Sequence, residues 1–126
     1  MFIDPQCPFS IRAMQQLQPL VDAKKIQLAV IPLAVIDYEN QGQSTKSALA
    51  MLSKPSNEMV GAWRAGDLKG VPDASAAVKL RANMAAAEAV QLRGTPTLVW
   101  RKQDGSEGRA NGLPADLNTL LNSLGG

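Results

Sequence analysis

Apolar residues along this chain change their period several times, and each change marks an element. Phe2 and Ile3 are β-favouring residues that run into Asp4-Pro5. The residue before a proline is held extended, so this start predicts a short strand and then a turn. From Pro8 to about Lys24, Ile11, Met14, Leu17, Leu20 and Val21 recur at helical spacing. Pro8 suits the first turn of that helix, where its missing N–H has no partner to lose. Pro19 falls inside the pattern and is expected to kink or divide the helix, although the apolar face continues to Val21. Ile26 to Val35 is aliphatic and β-branched with little alternation after Gln27, the mark of a central strand covered on both faces. Pro32 cannot donate to a ladder and is expected to stop that strand early or bulge it.

Asp37 to Gln43 is polar and closes the segment. Ser44 to Ser53 and Ser56 to Ala65 are short helical patterns divided by Pro55, followed by a turn-rich stretch with Gly66, Gly70 and Pro72. An alanine-rich helix is expected from about Ala74 to Leu92, with Gly94 beyond it as the cap. Thr97 to Arg101 reads as a strand, Asp104-Gly105 as a hairpin turn and Gly108 to Asn111 as the weak return strand. Leu117, Leu120, Leu121 and Leu124 predict a last helix over about Pro114 to Leu124. The order strand, helix, strand, helical insert, hairpin, helix is that of an α/β domain, with a central mixed sheet flanked by helices and an insert over about 44–92. Trp63 and Trp100 are expected in the core, and Met51, Met59 and Met84 between helices. Lys24-Lys25 and Arg101-Lys102 stand at element ends, where solvent is expected to cover them.

Composition narrows the chemistry. A chain of 126 residues with 45% apolar content is expected to form one domain over 1–126. Its net charge is +2 without a basic run, so nucleic acid is not an expected partner. With no histidine and a lone cysteine, the usual zinc sets, a Ser-His-Asp triad and an internal disulfide are all excluded, and neither metal nor cofactor is expected. No apolar run approaches the ~20 residues of a membrane-spanning helix, and no signal-peptide pattern opens the chain. The apolar start Met1-Phe2-Ile3-Asp4 reaches Cys7 so soon that the first half of a strand is expected to be missing, which leaves the compartment open.

The lone sulfur stands where it could react. Free N–H groups and the dipole at a helix start favour a thiolate, whereas burial in an apolar core opposes it. Cys7 begins the first helix, and Ser10 follows one turn later on the same face, close enough to donate a hydrogen bond to the sulfur. Ser10 occupies the slot of a resolving cysteine, and a serine oxygen cannot attack a mixed disulfide. Release is then left to an external thiol or to the substrate's own second thiol. Thr95-Pro96 enters the strand at Thr97, a place where a proline can mark a cis bond and turn a backbone edge toward the sulfur. A trans strand-entry proline is the plainer alternative. Pro8 and Phe9 flank the cysteine, and Phe9 is equally suited to packing on the hairpin or to touching a bound peptide.

Asp4-Pro5-Gln6-Cys7-Pro8-Phe9, Gln18-Pro19-Leu20-Val21-Asp22, Lys25-Ile26-Gln27-Leu28, Thr95-Pro96 and Asn111-Gly112-Leu113-Pro114 form an ordered set. With them the sequence resembles, over most of its length, the catalytic domain of bacterial periplasmic disulfide isomerases of the DsbC/DsbG type, nearer to the DsbG side. The resemblance implies a thioredoxin-like fold with a helical insert, a nucleophilic Cys7, and a cis Thr95-Pro96 that contacts substrate. It also implies a periplasmic location, protein substrates with cysteines or disulfides, and a membrane or small-molecule thiol as reductant. Two departures stand out. The family pattern has a second cysteine where this chain has Ser10, and this chain has no room for the N-terminal dimerisation domain, so a monomer is expected here.

Three readings follow. The first is a redox domain in which Ser10 is an engineered replacement that traps mixed disulfides. The second is a natural one-cysteine variant that isomerises disulfides or reduces oxidised single thiols with an outside reductant. The third is a redox-inert thioredoxin-fold module that binds peptides or acts as a chaperone.

Overall fold

The structure, a computed structural model, describes residues 1–125. Its sheet holds four strands in the order β2-β1-β3-β4, with β1 at Phe2–Ile3, β2 at Ile31–Pro32, β3 at Thr97–Arg101 and β4 at Glu107–Asn111. β1 runs parallel to β2 and antiparallel to β3, and β3 pairs antiparallel with β4. Helix α1, Pro8–Asp22, follows β1, and α6, Leu117–Ser123, follows β4. Between β2 and β3 lie α2 (Asp37–Asn40), α3 (Gln43–Leu52), α4 (Ser56–Ala65) and α5 (Ala74–Ala89). This mixed sheet between helices is a thioredoxin-like fold.

Strand alternation distributes the core. Successive side chains of β1 point to opposite faces. Ile3 joins Met14 and Leu17 of α1 with Met51, Trp63, Leu98 and Leu120, while Phe2 packs with Leu33 and Ala87 of α5 on the other side. A third group, Ala48, Leu52, Ala76 and Leu80, joins α3 to α5. Trp63 and Met51 are buried as expected, and Trp100, Met59 and Met84 pack half-buried against these groups.

Several expectations need correction. The segment Ile26 to Val35 is not a central strand: only Ile31–Pro32 pairs, and it does so at the sheet edge. Ile31 and Leu33 donate their N–H groups to Met1 and Ile3 of the neighbouring strand, so the proline nitrogen between them faces away from β1 and costs the ladder nothing. The Pro32 carbonyl accepts instead from Asn83 Nδ2 of α5 at 3.0 Å. Pro19 does not divide α1. It stands with Gln15, whose carbonyl it leaves free, on the exposed face where water can serve as partner. Ile11 is 39% exposed, and Ser10 takes its place on the buried face.

Helix ends also differ. α5 stops at Ala89, before Leu92, and Gln91 rather than Gly94 takes the left-handed conformation at its end. Leu92 N–H donates to Ala87 O and Gln91 N–H to Glu88 O, while the half-buried Leu92 side chain packs against the group of Phe2, Leu33 and Ala87. α6 begins three residues later than Pro114, because the Asp116 carboxylate accepts from Asn118 N and caps it there. The polar stretch after Val35 contains the helical turn α2, and its Asn40 side chain accepts from the first amides of α3.

Candidate functional site

The site begins with a carboxylate at the end of β1. Asp4 is fully buried and accepts from Gln6 N, Val35 N, Ile36 N and Ser44 Oγ at 2.9, 2.8, 3.2 and 2.7 Å. The bond to Gln6 N two residues on is an Asx turn, which reverses the chain after the strand. Cys7 N–H then closes the turn on Asp4 O at 3.0 Å, and Ile11 N–H begins α1 on Cys7 O at 3.1 Å. Cys7 is therefore the residue just before the first helical turn, with Pro8 at its first position. Two bonds from the insert hold the loop from outside: Gln6 Nε2 donates to Ser47 Oγ at 2.7 Å and Trp63 Nε1 to Pro5 O at 3.1 Å.

The cysteine sulfur faces the loop before β3. Cys7 is 7% exposed, and its S–H donates to Thr95 O at 3.5 Å. The Thr95–Pro96 bond is cis, Thr97 Oγ1 donates to Gly94 O, and Gly112 N–H donates to Pro96 O. The fold lines one cavity with Cys7, Pro8, Phe9 and Thr95 and a neighbouring one with Phe9, Thr95 and Pro96. Ser10 is placed differently from expectation. It is fully buried, and its hydroxyl accepts from Asp4 N at 3.3 Å, so its recorded bond goes to the turn rather than to the sulfur.

An open cavity of about 410 Å³ includes Cys7, Pro8 and Phe9 with Ile36, Tyr38, Glu39 and Thr95. Phe9 and Tyr38, 64% and 82% exposed, give its rim an aromatic character. Arg12 lies over the Phe9 ring, 5.7 Å from its centroid. Among the described residues, no group of three or more His, Cys, Asp or Glu side chains gathers as a metal set. Among the described residues, no helix is long and apolar enough to cross a membrane.

Sequence reasoning missed Asp4 as the organiser of the site and α2 as one wall of the cavity. Asp4 had a readable signal, an acidic residue directly after an apolar strand and before a proline. Tyr38 and Glu39 had none, because nothing local tells that α2 folds beside residues 31 positions earlier.

No protein-family model matches the sequence. It is 30% identical over 120 residues to the thiol:disulfide interchange protein DsbG of Pseudomonas aeruginosa, a match covering 90% of this chain and 46% of that protein. The chain therefore spans about half the length of the curated relative it matches. The chain thus combines a thioredoxin-like fold with a partial-length similarity to that interchange protein.

Proposed function

We propose that this chain is a thiol-disulfide oxidoreductase or isomerase domain that acts on protein cysteines through Cys7. The observation that carries the reading is the sulfur's position, at the opening of α1, beside the Thr95 carbonyl and at an open, aromatic-rimmed cavity. The Cys7 thiolate attacks one sulfur of a substrate disulfide, forming a Cys7–substrate disulfide, and the displaced substrate thiolate takes up a proton. Two sulfurs remain oxidised throughout. Ser10 supplies no second thiol, so an external thiol or the substrate's freed thiol attacks the mixed disulfide and returns Cys7 to the reduced form. Pro8, Phe9, Thr95 and Pro96 form the surface on which the substrate backbone rests. The similarity to an interchange protein favours protein substrates and an oxidising compartment, the periplasm.

One observation favours a second reading. Cys7 is almost fully buried and its S–H already has an acceptor, as suits a redox-inert peptide-binding module. Mass spectrometry after incubation with the neutral 2-hydroxyethyl disulfide separates the two. The redox reading expects a single mixed disulfide on Cys7 within minutes, none on Cys7→Ala, and turnover with a thiol reductant that rises about tenfold or more in Ser10→Cys. An unmodified chain and an inactive Ser10→Cys form leave the binding module.

A further inference from the structure

Two open cavities lie side by side near the sulfur and together are read as the two halves of one groove. The half that holds Cys7 and a neighbouring half of about 560 Å³ share Phe9, Arg93, Gly94 and Thr95. The second half continues along α1 past Arg12 and Gln16 and is walled by residues 111–115. Among the described residues its charges have one sign, since Arg12 and Arg93 line it and no carboxylate does. The groove's carboxylate, Glu39, lies in the other half.

These arginines differ from their neighbour Arg109. Its guanidinium is committed to the Val90 and Gln91 carbonyls at the end of α5 and to Asn111. Arg12 and Arg93 are exposed, and stacking of Arg12 on Phe9 steadies its head without neutralising it. A surface with the sulfur and Glu39 on one side, Arg12 on the other and Arg93 between them reads charge along an extended chain. Glu39 repels an acidic side chain on its own side, whereas Arg12, with Arg93 between the two, attracts it on the other.

We propose that the groove selects protein segments whose reactive cysteine is flanked on one side by an acidic side chain, held by Arg12 and Arg93. The inference rests on the thiol-disulfide reading of Cys7 and names its substrate class. Three short peptides carrying an activated cysteine disulfide, identical except for Glu, Gln or Lys beside the cysteine, test it, each placed in turn before and after that cysteine. The second-order rate of mixed-disulfide formation is divided, for each protein form, by its rate with neutral 2-hydroxyethyl disulfide.

In one of the two placements the expected order is Glu over Gln over Lys, with about fivefold or more between the extremes at low salt and little difference at high salt. The double variant R12E/R93E should invert that order. Equal relative rates for all three peptides in both placements, with the neutral disulfide still reacting, overturn the groove assignment alone. Failure to react with any disulfide overturns the thiol-disulfide reading instead. The groove is then judged by NMR titration with serine-for-cysteine peptides: Glu-specific shifts of the Arg12 and Arg93 side-chain signals uphold it, and indifference to charge overturns it.

Discussion

Asp4 shows how much one side chain can carry. Its two oxygens accept from Gln6 N, Val35 N, Ile36 N and Ser44 Oγ, joining the end of β1, the loop after β2 and the start of α3. Replacement by alanine would leave those buried donors unpaired, each at a cost of order 1 kcal/mol or more. We expect Asp4→Ala to lose about 3 kcal/mol of stability in urea unfolding, well beyond the effect of an exposed change such as Asp67→Ala. Gly108 is fixed by a different cause. It pairs with Trp100 across the hairpin, and an added Cβ would meet the indole ring at 2.3 Å. Gly108→Ala should therefore cost about 1–3 kcal/mol and alter tryptophan fluorescence, because the ring or the strand must move. A loss below about 0.5 kcal/mol with unchanged emission would mean that Trp100 swings aside freely.

At the scale of elements, local chemistry made much of the fold legible. Pro55 separates α3 from α4, Pro8 opens α1, and the Asp104-Gly105 turn joins β3 to β4 as expected. Cys7, Pro8, Phe9 and Thr95-Pro96 were readable because their order along the chain carries the pattern. Features set by tertiary pairing were not. A strand's rank as centre or edge depends on which partner it meets, so Ile26 to Val35 looked like a central strand although β2 pairs over two residues at the edge. Helical spacing points Ser10 toward the sulfur, whereas the bond its oxygen accepts from Asp4 N depends on the turn after β1 and is not carried by spacing. Caps are also local, and α5 offers a test. Asp73 accepts from Ser75 N, and that backbone bond, helped by the Ser75 hydroxyl, holds its carboxyl below the ordinary 3.8. A lowered carboxyl pKa contributes stability above the unfolded value and loses it as pH falls through the folded one. Asp73→Asn should thus flatten the fall in melting temperature below pH 4, while changing little near neutrality, where asparagine caps nearly as well.

Across the whole molecule, the helical insert and the turn that carries Cys7 are mechanically joined. Three bonds cross from the insert to the loop that precedes Cys7: Ser44 Oγ to Asp4, Gln6 Nε2 to Ser47 Oγ, and Trp63 Nε1 to Pro5 O. The Trp63 ring also belongs to the core shared by Ile3, Met14 and Leu17, so α4 rests on both the scaffold and the site. The β3–β4 hairpin has its own ladder from Thr97 to Arg101 and needs none of these bonds. Loosening the insert should therefore reach Cys7 before it reaches the hairpin. Trp63→Phe keeps an aromatic ring in place but leaves the Pro5 carbonyl without its donor, a loss of about 1–2 kcal/mol. Hydrogen exchange would locate the effect: the Cys7 amide, bonded to Asp4 O, should exchange several-fold faster, while amides of Leu98 to Trp100 keep their protection. Equal acceleration at both places would show the substitution destabilising the domain as one unit. Acceleration confined to Cys7 would identify the insert as the element that holds the reactive turn closed.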